Sequence, residues 1–322
     1  MTADSDDCSS PIAMSRLVRC ATLGITIALG ACARGTTSTV PAAPVAAGYQ
    51  LLDAQTDAAM SMSALSSRVA ESDIVVFGEL HDDPGAHRFE RDLLDATARL
   101  GRPVILSLEM FERDVQPELN AYLRDSITES QFLARTRPWP NYPTDYRPLI
   151  EEAKRRHWSV VAANVPRPLA SAIGRRGLSA LDTLTTTERG FAAQTLQCPH
   201  DAYHVRFVES MRSHPGSDPT SPADSLPTVI AERFYLAQCA KDETMAESIV
   251  AARRAEPTAI VLHYTGSFHS DYSQGTVERI RRREPGWRVL VVSTLQTPEG
   301  KLTVGAAPRG IANVIVVTRL VR

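Results

Sequence analysis

Residues 74–84 have the sequence Ile74-Val75-Val76-Phe77-Gly78-Glu79-Leu80-His81-Asp82-Asp83-Pro84. The apolar, β-branched half predicts a strand that is buried on both faces, and a glycine, a carboxylate and an imidazole follow it. Asp83 before Pro84 is a good start for a helix, so we predict a helix over residues 85–99. Open α/β sheets bind their ligands just outside the carboxyl ends of parallel strands. Glu79 and His81 are therefore expected at a binding edge.

The rest of the chain alternates short apolar runs with amphipathic segments, which is typical of βα units. The apolar runs are rich in Val and Ile and lack strict alternation, as expected for strands buried on both faces. We expect strands near residues 74–78, 103–109, 158–163, 258–264, 288–294 and 312–318. The predicted fold class is α/β, with a mostly parallel central sheet flanked by helices.

Two connections are too long for simple crossovers, whose loops usually have about 2–6 residues. They span about residues 111–157 and 165–257, and both contain helical patterns. We expect these insertions to form a helical subdomain over the C-terminal ends of the strands. Residues 49–322 would then form one α/β domain.

The first 31 residues have the features of a secretory signal. Arg16 and Arg19 precede a short apolar stretch, and Leu29-Gly30-Ala31-Cys32 follows it. The stretch is too short to span a bilayer. The tetrapeptide resembles the lipobox of bacterial lipoproteins, which would make Cys32 the lipidated first residue of the mature chain. We therefore predict a signal peptide over residues 1–31.

A lipid anchor on Cys32 would attach the protein to the cell envelope. Ala33 after this cysteine, rather than Asp, favours the outer membrane, facing the periplasm, if the source has two membranes. Residues 32–48 are rich in Ala, Thr, Pro and Gly without periodicity, which predicts a flexible tether.

The composition is that of an ordinary soluble globular protein, with 43% hydrophobic and 22% charged residues and a net charge of −2. No basic stripe with interleaved aromatic residues is present, so we expect no nucleic-acid partner. Of the five cysteines, Cys198 and Cys239 lie in the predicted domain. An exported compartment permits a disulfide between them, but the sequence is equally compatible with two separate thiols.

Polar side chains follow four of the predicted strands in turn. They are Glu79 and His81, then Glu109, then Asn164 and Arg167, and finally His263 and His269. Such groups can bind a metal, move protons or hold a carboxylate. We expect them to meet over one edge of the sheet and to enclose a shared cavity.

Simpler structural roles explain some of these residues. His263 lies within an apolar strand and could be a core histidine that only makes a hydrogen bond. His87, one turn into a helix, could lie on the surface or reach back over the strand end. Asn164 and Arg167 could cap the next segment. Glu109 is harder to explain in this way, because a carboxylate that closes a buried strand is costly without a partner.

A separate group of potential ligands occurs in Cys198-Pro199-His200-Asp201-Ala202-Tyr203-His204. His200 and His204 would share a helix face, and Cys198 could add a sulfur ligand. The spacing is similar to that of zinc sites, but no Glu follows the first histidine, so this is not the zincin motif. Capping of a helix N-terminus explains the segment equally well.

Residues 77–84 with His87 resemble the opening motif of the ChaN-like haem-binding lipoproteins, in the superfamily of Tiki proteases and erythromycin esterases. The similarity continues through residues 108–111, 146–150, 163–167, 198, 237–246 and 266–275. It extends in order over about residues 70–295. Two differences stand out. The family usually has a Gly-x-Pro motif, and Gly275-Thr276-Val277 lacks its proline. Lys241 replaces a common arginine, which keeps the charge but loses a bidentate fork.

This resemblance implies an exported lipoprotein that binds haem for iron or haem acquisition and forms a homodimer around the ligand. It also implies a tyrosinate on ferric iron, since tyrosine is a known axial ligand. The candidate ligands are Tyr272, Tyr146 and Tyr142, although Tyr146 could equally be a core residue packed on the sheet. The side chains that could bind the haem propionates are His81, His87, Lys241 and Arg167.

A second interpretation is an enzyme. The Tiki and erythromycin-esterase relatives imply a hydrolase in which Glu79, His81, Glu109 and His269 are ligands of a divalent metal or an acid/base pair. No Gly-x-Ser-x-Gly elbow is present in the sequence. A third interpretation is a binding module that keeps the polar site without chemistry. We favour haem binding and leave open whether the protein is an enzyme.

Overall fold

The computed structural model describes residues 48–212, 228–302 and 305–320. These residues form an α/β structure around one eight-stranded sheet. The predicted signal peptide, Cys32 and the predicted tether up to residue 47 lie outside the described residues.

The sheet confirms the predicted fold class. Its strands are β1 (Tyr49–Asp53), β2 (Ala59–Met60), β3 (Ile74–Glu79), β4 (Val104–Glu112), β5 (Ser159–Asn164), β6 (Ile260–Gly266), β7 (Val289–Thr297) and β8 (Val314–Arg319). In space their order is β2-β1-β8-β7-β3-β6-β4-β5. Strands β3 to β8 pair in parallel, whereas β1 is antiparallel to β2 and β8. All six predicted strands are present, and β1 and β2 are additional.

Helices connect the strands and cover both faces of the sheet. They are α1 (Met62–Ala70), α2 (Pro84–Ala98), α3 (Gln116–Leu123), α4 (Glu129–Arg135), α5 (Arg147–Arg155), α6 (Arg167–Arg176), α7 (Thr186–Arg189), α8 (Ala202–Arg212), α9 (Thr228–Ala255) and α10 (Thr276–Arg283). Helix α2 begins as predicted, because the Asp83 carboxylate accepts the N–H groups of Gly85 and Ala86. Within the described ranges, no helix has both the length and the apolar character needed to cross a membrane.

Strand β3 shows why the predicted strands lack alternation. Val75 and Phe77 face the core that α2 covers, where the rings of Phe77 and Phe89 lie 4.8 Å apart. Ile74 and Val76 face a second core, shared with α9 and α10. Both faces of the strand are therefore buried, and an apolar residue is favourable at every position.

The order of the strands positions the binding edge. From β3 the chain winds to β4 and β5 on one side and later to β7 and β8 on the other. Ligands of open α/β sheets bind where the strand order reverses in this way. The predicted first insertion supplies α3 to α5, and its segment around Asn141 lies over the end of β3, where Asn141 Nδ2 donates to the His81 carbonyl at 3.0 Å. The second supplies α6 to α9, and residues 213–227 of it lie outside the described residues.

Candidate functional site

A cavity of about 250 Å³ lies at the C-terminal ends of β3 to β6. It is lined by His81, Glu109, Glu112, Trp139, Asn164, Val165, Arg167, Ala170, Lys241, Gly266, Phe268 and His269. Turns that are far apart in the sequence therefore meet over one edge of the sheet. Three of the four residues that the sequence places at the centre of the site, His81, Glu109 and His269, contact this cavity directly.

Glu79, the fourth, supports the site from below. It lies at the end of β3, opposite Gly266 of β6, and is fully buried. His81 Nδ1 lies 2.6 Å from Glu79 Oε1, and the Tyr146 hydroxyl donates to the same oxygen at 2.6 Å. Burial acts to lower the pKa of His81, but the hydrogen bond to Glu79 and the nearby carboxylate charges outweigh it, so the pKa of His81 is raised. The pairing with Glu79 thus favours the protonated form of His81, which faces the cavity.

A second imidazole lies between two carboxylates. His269 Nδ1 lies 2.7 Å from Asp242 Oδ1, and His269 Nε2 lies 3.4 Å from Glu109 Oε1. Burial acts to lower the pKa of His269, but the charges of Glu109 and Asp242 and their hydrogen bonds raise it to about 9. The ring therefore carries a positive charge at neutral pH.

Glu109 has the partners that a buried carboxylate at a strand end requires. Its Oε2 accepts the Thr265 hydroxyl at 2.6 Å and the Gly266 N–H at 2.8 Å. Burial alone would raise the pKa of Glu109, but the charge and hydrogen bond of His269, with the charge of Lys241, hold it well below its usual range. Glu109 is therefore ionised and fixed in position.

Asp242 lies on α9, is fully buried, and was not among the predicted site residues. Its carboxylate accepts the hydroxyl of Tyr203 at 2.7 Å and that of Thr276 at 2.9 Å, besides contacting His269. The sequence does contain a pattern that indicates this residue, because Gln238, Lys241 and Asp242 are spaced at i, i+3 and i+4. That spacing places three polar side chains on one helix face that points towards the sheet.

Two cationic side chains of the second insertion line the cavity. Lys241, on α9, is half-buried, and among the described residues it has neither a hydrogen bond nor an ion pair. Arg167, at the start of α6, is largely exposed and lies 3.9 Å from Glu112. An anionic ligand would supply the partner that Lys241 lacks. Trp139 and Phe268 add aromatic walls, and the Trp139 ring lies 4.8 Å from that of His81.

The three candidate tyrosines lie in different environments, and none of them lines the cavity. Tyr142 and Tyr146 are buried, with 1% and 0% of their surface exposed, and burial raises the pKa of both phenols. Tyr272 is 40% exposed and lies in a turn with a φ of 61°. It is thus the one candidate of the three whose ring solvent reaches.

Two predicted histidines lie beneath the cavity. His87 is buried, with Nδ1 2.9 Å from Glu90 Oε2 and Nε2 3.0 Å from the His81 carbonyl oxygen. His263 lies in β6, where Ser107 Oγ is 2.9 Å from its Nδ1 and burial lowers its pKa to about 4. His263 is therefore a neutral, hydrogen-bonded core residue, as the simpler interpretation proposed. Asn164 lines the cavity, and its Nδ2 donates a hydrogen bond to the Glu109 carbonyl oxygen at 3.1 Å.

Cys198 and Cys239 form a disulfide, which decides between the two alternatives that the sequence left open. The bond ties the segment before α8 to α9. The suggestion that Cys198 adds a sulfur ligand to a metal is therefore wrong for this oxidised state, because a metal binds the thiolate and not a disulfide.

The site offers two kinds of chemistry. Its two imidazoles, each paired with a carboxylate, can give and take protons beside one cavity. Its cations and aromatic walls can hold a flat, anionic ligand. Three other cavities, lined by residues that include Arg113, Met110 and Tyr122 respectively, do not combine both sets of groups.

Comparisons with known proteins agree with the fold. The family model described as haem-binding uptake, Tiki superfamily, ChaN matches residues 65–280 of the 322. ChaN of Campylobacter jejuni, whose structure shows cofacial haem binding, superposes with a TM-score of 0.62 at 15% identity, covering 84% of this chain and 96% of that one. An erythromycin esterase mutant in its open conformation has a TM-score of 0.42 at 13% identity, covering 81% and 80%. No curated protein matches the chain.

Proposed function

This chain belongs to the haem-binding uptake, Tiki superfamily, ChaN family, and from that premise we propose that it binds haem over the cavity at the strand ends. The observation that carries the proposal is Lys241, a half-buried cation without a partner among the described residues, beside the aromatic walls of Trp139 and Phe268. Haem combines a flat apolar ring with two carboxylates, so it complements both features.

The residues present fit part of a haem group. Lys241 and Arg167 would bind propionates, and the imidazole of His81 adds a third hydrogen-bonding group at the same rim. Pockets that enclose a drug-sized ligand have volumes of about 300–1,000 Å³. The cavity, at about 250 Å³, can therefore take only one edge of the ring. The rest of the porphyrin would lie along the protein surface outside it.

We propose Tyr272 as the protein ligand of the haem iron. Haem supplies an electrophilic iron that a phenolate can bind. The Arg206 guanidinium lies over the Phe268 ring at 4.1 Å and beside the Tyr272 ring at 5.4 Å. Because Phe268 lines the cavity, this stack leads from the cavity outward to Tyr272. Tyr146 is a weaker candidate, since its hydroxyl already bonds the buried Glu79.

Haem titration of the purified protein tests this proposal. We expect a shifted Soret band and a tyrosinate-type charge-transfer band. K241M should weaken haem affinity at least about 10-fold, since a hydrogen bond to a charged group contributes about 1.5–3 kcal/mol. K301M, at an exposed lysine away from the cavity, should bind as the wild type does. Y272F should remove the charge-transfer band, whereas Y146F should keep it.

Three results would contradict these assignments. An unshifted Soret band in the wild type would remove haem as the ligand. Equal haem affinity in K241M and K301M would remove Lys241 from the site, and a retained charge-transfer band in Y272F would move the iron ligand elsewhere.

We further propose that the protein is exported and anchored by a lipid on Cys32 in the outer membrane, facing the periplasm, where it serves haem or iron acquisition. The lipobox-like Leu29-Gly30-Ala31-Cys32 supports this proposal. Labelled fatty acid should be incorporated into the wild-type protein but not into C32A. Equal labelling of both proteins would contradict the assignment.

Hydrolysis is a second candidate function, favoured by the two imidazole–carboxylate pairs that face one cavity. His269, held cationic, could donate a proton to a leaving group, and Glu109 is an ionised carboxylate beside it. A screen of ester and peptide substrates should then find turnover that falls by about 100-fold or more in E109Q. No turnover in the wild type on any substrate would leave haem binding as the function.

A further inference from the structure

A second group of ligand-type side chains lies where α8 meets α9, away from the cavity. His200 Nε2 is 2.9 Å from Glu232 Oε1, and His204 Nε2 is 3.0 Å from Glu232 Oε2. The two imidazole rings stack with their centroids 4.3 Å apart and their planes at 18°. One ligand atom of each residue lies within 4.8 Å of the other two. Three potential ligands therefore lie within reach of one ion.

Helix capping does not explain these histidines. The carboxylate of Asp201 caps α8, because its Oδ1 accepts the N–H groups of Tyr203 and His204 at 2.9 and 3.1 Å. The imidazoles of His200 and His204 take no part in that interaction and point to Glu232 on the neighbouring helix. The side chain of His200 is 65% exposed, so an ion from solvent can reach the group.

We propose that His200, His204 and Glu232 form a binding site for a divalent transition-metal ion, with Zn²⁺ as the preferred ion. Two imidazole nitrogens and one carboxylate oxygen are a common zinc ligand set, and water can take the fourth position. Zinc–ligand distances of about 2.0–2.2 Å place tetrahedral ligands roughly 3.3 Å apart. One ligand atom of each residue lies within 4.8 Å of the other two, so the side chains need to close by at most about 1.5 Å to reach this geometry.

The Cys198–Cys239 disulfide holds these ligands in place before the metal arrives. Cys198 is two residues before His200, and Cys239 lies on α9 about two turns after Glu232. The disulfide and the metal would thus join the same two segments. Less entropy is lost when a metal binds ligands that are already held together, so the oxidised protein binds the ion more tightly than the reduced one.

Zinc competition against a chromophoric chelator tests the site in the purified full chain. H204A and E232Q should each lose one bound equivalent of Zn²⁺, or bind it more than about 10-fold more weakly, because removing even an outer partner costs about 10–100-fold. H157A is the matched control, since His157 is exposed and outside the group. The variants should have the same metal-free thermal unfolding temperature as the wild type, which separates loss of a ligand from loss of the fold.

Three outcomes of the competition assay would overturn the proposal. The wild type could retain no zinc against the chelator, H204A and E232Q could both bind zinc as the wild type does, or H157A could lose as much zinc binding as those two variants. Cobalt substitution gives an independent readout. Visible bands without a thiolate-to-cobalt band support histidine and carboxylate ligands, whereas a thiolate band would assign the metal to reduced cysteines and contradict the site.

Discussion

At the level of single residues, His269 makes the site sensitive to pH. Its pKa of about 9 lies above the value of about 6.5 for an unperturbed histidine, because Glu109 and Asp242 favour the charged ring despite its burial. A group whose pKa is higher in the folded state makes its full contribution to stability at pH values below its pKa in the unfolded state. This contribution is lost as the pH rises through the folded pKa.

We therefore expect the free energy of unfolding to decline between about pH 6.5 and pH 9, as measured by urea denaturation. D242N should flatten this dependence, because it removes the charge that lies 2.7 Å from His269 Nδ1. H157A should keep the wild-type slope, since His157 is exposed. A wild-type slope in D242N would show that this pair does not control the titration.

The central residues of the site could be predicted, but their network could not. Glu79, Glu109 and His269 each follow a recognisable strand, and the rule for parallel sheets then brings them to one edge. Asp242 lies within a 28-residue helix, where its spacing from Gln238 and Lys241 indicates a shared polar face but not that this face meets His269. That contact depends on how α9 packs across the sheet, which is a property of tertiary structure.

Gly78 shows how closely the turn after β6 packs on β3. A Cβ on this residue would lie 2.5 Å from Ser270 Oγ and 2.8 Å from the backbone Cα of Ser267. G78A should therefore lower the free energy of unfolding by about 1–3 kcal/mol, the usual effect of overpacking. G286A, where a Cβ would meet nothing within 4 Å, should change it by less than about 0.5 kcal/mol. Equal urea midpoints for the two variants would contradict this description of the turn.

At the level of elements, α9 connects the cavity to the rest of the fold. It supplies Lys241 and Asp242 to the site. About two turns further along the same helix, Ile249 packs against the sheet. Through Cys239 it is also covalently bonded to the segment before α8. Displacement of α9 would therefore disturb the site and the core together.

Removing the disulfide should destabilise the protein substantially. The bond closes a loop with a sequence separation of 41 residues, for which the chain-entropy model gives about 4 kcal/mol. We expect the double variant C198S/C239S to lose roughly 2–5 kcal/mol of unfolding free energy in urea denaturation. The wild type in a strong reductant should lose the same amount, whereas the double variant should not respond to reductant. A double variant as stable as the oxidised wild type would contradict this expectation.

The strands show which elements a sequence can reveal. The six parallel strands are continuous Val- and Ile-rich runs, and burial on both faces makes that pattern unmistakable. Strand β1 has only five residues and exists because it pairs with β8, more than 250 residues away in the chain. Its own sequence carries too little pattern to predict that pairing, and β2 has only two residues.

At the scale of the whole molecule, the cavity leaves a bound porphyrin incompletely covered. About 250 Å³ is enclosed between the strand ends and the two helical insertions, which is less than the smallest pockets for ligands of that size. An apolar ring that remains in water loses the stabilisation that burial would provide. If haem binds as proposed, the exposed face of the ring is therefore an apolar surface that favours association. A second copy of this chain with its own haem presents the same surface.

We accordingly expect haem to convert the protein from monomer to homodimer. Size-exclusion chromatography with light scattering should give the mass of one chain without haemin and twice that mass at one haem per chain. K241M should need more haemin to reach the dimer, because it weakens the first binding step, whereas K301M should follow the wild type. Haem that binds with a shifted Soret band while the mass stays that of one chain would exclude the second copy as the cover. The insertions themselves would then have to close over the ring.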